Sequence, residues 1–260
     1  MMGSCGITRS EGDVSDGCGR FIGPYPCCTI ITGDAKELTP AIPDESVDLI
    51  VTDPPYFLPV QSYVGVRGEG YTRRTLADTS ILSGFFGDLF ADLGRVLKQT
   101  GSAYVFCDGQ SYPLFYPAMF PHFKYVRPLI WDKIVSYNGY TWRHQHELIA
   151  WGEGVGAQRV PTGDGDILRC RGVLQKDRRH PAEKPLALLQ QLIAKHERGR
   201  VVLDPFVGSG TTPIAAWLEG DHYLAFEIDP DVAERARERV RNTQPPLFVM
   251  QPEQTILELE

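Results

Sequence analysis

Val201-Val202-Leu203-Asp204-Pro205-Phe206-Val207-Gly208-Ser209-Gly210-Thr211-Thr212 is the stretch on which the fold turns. Arg200–Leu203 reads as a buried strand, a Gly-rich turn follows, and Gly210–Glu219 has the pattern of a helix. Gly208 and Gly210 let the backbone turn tightly and approach a ligand closely. Asp204 stands at the strand's carboxyl end, where open α/β sheets bind ligands. The next strand, Tyr223–Phe226, leads into Glu227, 17 residues after Gly210. A carboxylate at that spacing can accept both hydroxyls of a ribose. No Gly-Lys-Ser/Thr follows the turn, G-S-G-T-T does not match G-x-G-x-x-G, and Asp204 would repel a pyrophosphate. A nucleoside carrying a positive charge suits the site better than a dinucleotide, and S-adenosylmethionine is such a molecule.

Outward from this unit, short apolar runs alternate with helical patterns, the signature of a doubly wound α/β sheet. Thr29–Thr32 is a strand ending in Gly33-Asp34, and Val47–Thr52 (VDLIVT) is a strand apolar enough to be buried on both faces. Residues 57–79 hold Tyr, Gly, Arg and Thr without period and read as a long loop. The pattern over Ile81–Lys98 predicts a helix and Ser102–Cys107 (SAYVFC) a strand. Tyr125–Trp131 and Glu147–Trp151 follow as antiparallel strands at the sheet's edge, while residues 152–180 suggest no element. A helix from Pro185 to His196 opens with proline at a favourable first position. Pro230–Arg241 forms another, with Asp229 as its N-cap. The divisions expected are a flexible leader (1–28), a catalytic half (29–109), edge strands with a target-recognition region (110–180), a cofactor half (181–241) and a tail (242–260).

With 260 residues, 42% hydrophobic and 23% charged, the composition is that of an ordinary globular protein. No run of 18 apolar residues suggests a membrane span, and the N-terminus lacks a signal-peptide pattern, so a cytoplasmic location is expected. The net charge of −7 is unevenly distributed. Residues 124–184 hold 11 Lys and Arg against 7 Asp and Glu, leaving 15 against 26 elsewhere. Overall acidity argues against a nonspecific nucleic-acid coat protein, not against a localised basic face. Cys5, Cys18, Cys27, Cys28, Cys107 and Cys170 fit no zinc-ribbon spacing and read as free thiols, with Cys107 buried. No metal is expected; a site from Cys5, Cys18 and Cys27 is the alternative this spacing leaves.

Asp53-Pro54-Pro55-Tyr56 directly follows the strand 47–52. Two prolines stiffen the turn and remove two N–H groups, leaving a carboxylate and carbonyls as acceptors at the sheet's carboxyl edge. An aromatic amine is a poor nucleophile because its lone pair is delocalised into the ring. Asp53 and the carbonyl of Pro54 can each accept one of its N–H groups, localise that lone pair and stabilise the positive charge that grows on nitrogen. Tyr56 can stack on the base, a contact worth about 1–3 kcal/mol. Attack on a sulfonium methyl is then direct and in line, and a base within a duplex must flip out to reach it.

Together these segments resemble the amino-methyltransferases of DNA modification systems, in the β-class arrangement with the catalytic motif ahead of the cofactor motif. Thr52–Tyr56 matches the catalytic motif, Asp204–Thr212 the cofactor motif, and Phe226-Glu227-Ile228-Asp229 the ribose-binding stretch. His180-Pro181-Ala182-Glu183-Lys184-Pro185 is similar to the family's His-Pro-Thr-Gln-Lys-Pro and departs from it at Ala182 and Glu183. The resemblance implies a Rossmann-like, mostly parallel seven-stranded sheet of order 3-2-1-4-5-7-6, circularly permuted so that strand 3 comes first. It implies Asp53, Pro54, Pro55 and Tyr56 as catalytic. Asp34, Lys184, Asp204, Phe206, Gly208, Ser209, Gly210, Thr211, Glu227 and Asp229 would surround S-adenosylmethionine. Target recognition would fall between the two halves, on the basic residues Arg143, His144, Arg169, Arg171, Lys176, Arg178 and Arg179, with double-stranded DNA as partner. A homodimer and a cognate restriction endonuclease are compatible with the class.

Asp at position 53 favours N6 of adenine; the branch acting on N4 of cytosine usually has Ser there. Methylation of RNA or of a protein glutamine is disfavoured, because those enzymes typically carry Asn at that position and place the cofactor motif first. An inactive DNA- or cofactor-binding homologue is disfavoured by the intact motifs.

Overall fold

A computed structural model describes residues 18–55, 79–135, 141–157, 163–173 and 183–243. Its centre is a sheet of eight strands in the order β3-β10-β9-β4-β5-β7-β6-β8. In chain order these are β3 (Thr29–Thr32), β4 (Val47–Thr52), β5 (Leu97–Cys107), β6 (Tyr125–Asp132), β7 (His146–Glu153), β8 (Ile167–Arg169), β9 (Val201–Asp204) and β10 (His222–Glu227). β3, β10, β9, β4 and β5 run parallel, whereas β7 is antiparallel to both β5 and β6. The first seven strands match the expected order, with the permuted strand 3 as β3. The sheet is one strand larger than expected: β8 pairs in parallel with β6 inside the stretch read as featureless. Only Leu168 of that three-residue strand is buried, too little to leave a period in a Gly-, Asp- and Arg-rich segment.

The strands are sorted by alternation. Ile50 packs into one core, while Leu49 and Val51 pack into the other, across the sheet. On the first face lie α2 (Thr79–Val96) and α3 (Tyr112–Met119), the latter unanticipated because Pro113 and Pro117 obscure its pattern. Phe86, Leu89, Phe90, Leu93 and Val96 recur at helical spacing on α2, and Phe86, Phe90 and Phe115 form an aromatic knot. On the second face lie α4 (Leu186–Ile193), α5 (Thr211–Leu218) and α6 (Pro230–Asn242), whose core residues include Leu188, Leu192, Ile214, Ala215 and Ala236. The helix expected to run to Lys98 ends at Val96, and β5 begins at once with Leu97. Gly101 therefore lies within that strand, where a Cβ would meet the backbone oxygen of Asp48 at 2.6 Å.

The described part of the stretch expected as a leader holds secondary structure. From Cys18 the chain is ordered into a hairpin of β1 (Phe21–Ile22) and β2 (Tyr25–Pro26), with Ile22 and Cys27 buried. Asp34 caps the short α1 (Ala35–Leu38), accepting from the Lys36 amide. No helix among the described residues is long and apolar enough to cross a membrane.

Candidate active site

β4 and β9 are parallel neighbours, but the chain leaves β4 towards β5 and leaves β9 towards β10. Their carboxyl ends therefore border a topological switch point, where α/β sheets open a crevice. Thr52 and Asp204 end the two strands, and the Thr52 hydroxyl donates to Asp204 Oδ1 at 2.8 Å. Asp204 also accepts from the Phe206 amide at 3.1 Å. Thr212, at the start of α5, donates across to the Val51 carbonyl at 3.4 Å. The two motifs, far apart in sequence, are thus stitched into one structure. Burial pushes the Asp204 carboxyl up to about 6, against the pull of these hydrogen bonds.

A cleft opens there. Of the residues expected at the site, Asp53, Lys184, Asp204, Phe206, Gly208, Ser209 and Thr211 line it. Glu227 stands behind the loop: its carboxylate accepts from the amides of Gly208 at 2.9 Å and Asp229 at 3.1 Å. Gly208 and Gly210 adopt φ of +49° and +81°, and a Cβ on Gly210 would press against Ala236 of α6 at 3.2 Å. Asp229 is engaged as the N-cap of α6, accepting from the amides of Asp231 and Val232. Asp34 lies at the end of β3, beside the end of β10, where the Gly33 amide donates to the Glu227 carbonyl at 2.8 Å. Pro54 is buried and Pro55 exposed. Tyr56, Lys176, Arg178 and Arg179 lie outside the described residues.

Lys184, expected near a cofactor, has its ammonium against the carboxylate of Asp53 and 3.5 Å from Glu147 Oε2. Burial pulls the lysine's pKa down, but Asp53 and Glu147 outweigh it and hold the ammonium above its ordinary value. Glu147 also pairs with Lys133 at 2.5 Å, and against its burial the two lysines hold it below the usual carboxylate range. Lys184 lies 5.1 Å from the centre of the Phe106 ring, another lining residue.

Sequence reasoning missed Thr52 as a tether, Phe106, Glu147, and a brace from α6. The Arg239 guanidinium donates to the Ser209 carbonyl at 2.9 Å and the Thr211 hydroxyl at 3.0 Å, and pairs with Glu183 at 2.8 Å. Its signal was the Glu183 departure, since an acid in a buried segment calls for a cation.

The four basic candidates in the described residues share an edge with Asp53. Cys107 at the carboxyl end of β5 faces Leu148 near the start of β7, and Asp132 at the end of β6 faces both His146 and Arg169. Arg143 and His144, just before β7, and Arg169 and Arg171, at and after the end of β8, therefore lie at the catalytic edge and are exposed. Arg169 stands 3.5 Å from Asp132.

Comparison with known proteins agrees with this arrangement. The type II methyltransferase M.HinfI of Haemophilus influenzae is 29% identical over 84% of this chain and 69% of its own length. The DNA adenine methyltransferase YhdJ of Escherichia coli is 27% identical over 82% of each. Among solved structures, the putative DNA modification methylase TTHA0409 of Thermus thermophilus, also solved with S-adenosyl-L-methionine, superposes with a TM-score of 0.62 at 24% identity, covering 82% of this chain and 94% of that one. The cytosine-N4-specific PvuII DNA methyltransferase does so with 0.64 at 18% identity, covering 83% and 86%. The family model described as DNA methylase, for enzymes of the N6/N4 type, matches residues 47–238, and the chain belongs to that family.

Proposed function

We propose that this DNA methyltransferase transfers a methyl group from S-adenosylmethionine to N6 of a flipped-out adenine in double-stranded DNA. The observation that carries this reading is the placement of Asp53, rather than a serine, at the end of β4. There it is tied through Thr52 to the Asp204 loop and paired with Lys184. One relative supports the choice of base by its name, the DNA adenine methyltransferase YhdJ.

The residues present fit the methyl donor. Glu227 offers a carboxylate for ribose hydroxyls, the glycine turn clears space for close approach, and buried Asp204 is suited to a positive charge. When bound, the donor supplies an electrophilic methyl group on a sulfonium centre. The Lys184 ammonium lies against the Asp53 carboxylate and orients it to accept an amine N–H. Asp53 and the Pro54 carbonyl draw the amine's two N–H groups to one side, so its lone pair points away from them. Asp53 and the Gly208–Thr211 loop border the same cleft, so the amine and the methyl donor would meet there. Tyr56 stacks on the flipped base. Arg143, His144, Arg169 and Arg171 hold the duplex along the same edge, beside Trp142, which is 88% exposed.

Incubation with tritiated donor and unmethylated genomic DNA, followed by nucleoside analysis, tests this. Labelled N6-methyladenine is expected; labelled N4-methylcytosine would move the substrate to the other branch of the family. Asp53→Ala is expected to abolish transfer while leaving donor binding intact. Transfer by that variant at the unaltered rate would overturn the mechanism.

A further inference from the structure

Three of the cysteines that sequence spacing left as free thiols converge on one histidine. Cys18, Cys27 and Cys28 come from the hairpin segment before β3, and His222 is the first residue of β10. Cys18 Sγ lies 3.3 Å and Cys28 Sγ 3.6 Å from His222 Nδ1, and the Cys27 and Cys28 sulfurs are 3.8 Å apart. All four ligand atoms fall within 4.8 Å of one another. Zn–S bonds of about 2.3 Å and Zn–N bonds of about 2.0–2.1 Å require tetrahedral edges of about 3.8 Å between sulfurs and about 3.5 Å from sulfur to nitrogen. Those three separations are close to these edges, and the remaining ones stay within 4.8 Å.

The backbone explains how neighbours in sequence reach one point. In an extended strand successive side chains point to opposite faces. Cys28 instead takes a left-handed conformation, φ +62°, which breaks the alternation and brings its sulfur round to that of Cys27. The Cys28 amide is anchored to the Tyr223 carbonyl at 2.7 Å, so the thiol is carried by the same sheet that carries His222. Cys27 and His222 are buried, at 1% and 5% exposure.

The geometry points to a structural zinc site formed by Cys18, Cys27, Cys28 and Nδ1 of His222. Three cysteines and one histidine make a closed donor set with no position left for substrate. Loading requires the thiols to give up their protons, so a dication with three thiolates and a neutral imidazole carries one net negative charge. The Arg20 guanidinium, now 3.1 Å from His222 Nε2, supplies the opposite charge. With Nδ1 on the metal, Nε2 carries the ring proton, so this exposed arginine turns from the ring towards the sulfurs. The site lies at the start of β10, and Glu227 at its other end serves the active site. Zinc therefore takes no part in methyl transfer. Its work is to clamp the β1–β2 hairpin, with only two residues in each strand, to the sheet.

The test is the metal content of the full chain, grown with zinc, purified without chelator and analysed by plasma mass spectrometry. About one zinc per chain is expected, falling below a tenth in Cys27→Ser and in His222→Ala and staying at one in Cys170→Ser. Titration of chelator-stripped protein with cobalt(II) reads the donor set without a variant. Intense visible bands of tetrahedral cobalt with near-ultraviolet thiolate charge transfer support the site. Octahedral, pale cobalt, no stoichiometric zinc, or a Cys18–Cys27 or Cys27–Cys28 disulfide in the peptide map of fresh protein would each overturn it.

Discussion

Asp53 and Asp204 end neighbouring strands but stand in opposite electrostatic company. Asp53 has the Lys184 ammonium against it, whereas Asp204 is 3% exposed and its described partners are hydroxyl and amide donors. Burial therefore governs Asp204 and raises its carboxyl to about 6. A folded-state value above the unfolded one penalises folding once the unfolded chain ionises. Below about pH 4 both states are protonated; between there and about pH 6 the unfolded state gains, and above about 6 the penalty is constant, on the order of 3 kcal/mol. Chemical denaturation of the donor-free protein should show this loss from pH 4 to 6, and Asp204→Asn should reduce it, leaving the share of Asp221, which burial likewise raises to about 6. A bound cation favours the carboxylate, so donor affinity is expected to rise over the same interval in the unaltered protein and to be flat in Asp204→Asn. Calorimetry across that range checks the sign.

At the scale of elements, the donor loop is held from behind. α6 places Arg239 where it grips Ser209 and Thr211 and pairs with Glu183, just before α4. Hydrogen bonds to a charged group contribute about 1.5–3 kcal/mol each, and part of that is spent on ordering the loop. Arg239→Ala is expected to weaken donor binding about tenfold, with kcat at saturating donor reduced less; an unchanged KM for the donor would show that the loop orders itself. Glu183→Gln, which restores the family residue, should cost less than Glu183→Ala. In sequence this brace left only the Glu183 departure as a trace, because its partner Arg239 meets it only once α4 and α6 pack on one face. The strands β4, β9 and β10 were legible, because burial on both faces demands continuous apolar runs, and the turn after β9 because its glycines must be there. β8, α3 and the hairpin were not. Their residues are too few, or too rich in proline and glycine, to produce a period, and their order comes from pairing with distant strands. Tyr56 and the basic cluster at 176–179 remain expectations from sequence alone.

For the whole molecule, a net charge of −7 coexists with a DNA substrate because the basic residues share the edge where the base is presented. Register carries Arg143, His144, Arg169 and Arg171 to the edge that holds Asp53, and on the proposed reading they make DNA binding local and orienting. Arg143→Ala and Arg171→Ala are each expected to weaken DNA binding and to reduce the slope of log affinity against log salt by about 1, leaving the methylated base unchanged. Fluorescence anisotropy over a salt series measures this; an unaltered slope would remove that residue from the DNA face. The permuted strand order has a consequence for the protein's birth. The Thr52 hydroxyl waits for a carboxylate 152 residues further on, so β4 leaves the ribosome long before β9, its central neighbour, exists. Every chain long enough to hold the methyl-donor loop has already made the strands at the DNA edge. On the proposed assignment, a chain cut short before β9 lacks the loop that would hold the methyl donor and is expected to transfer nothing.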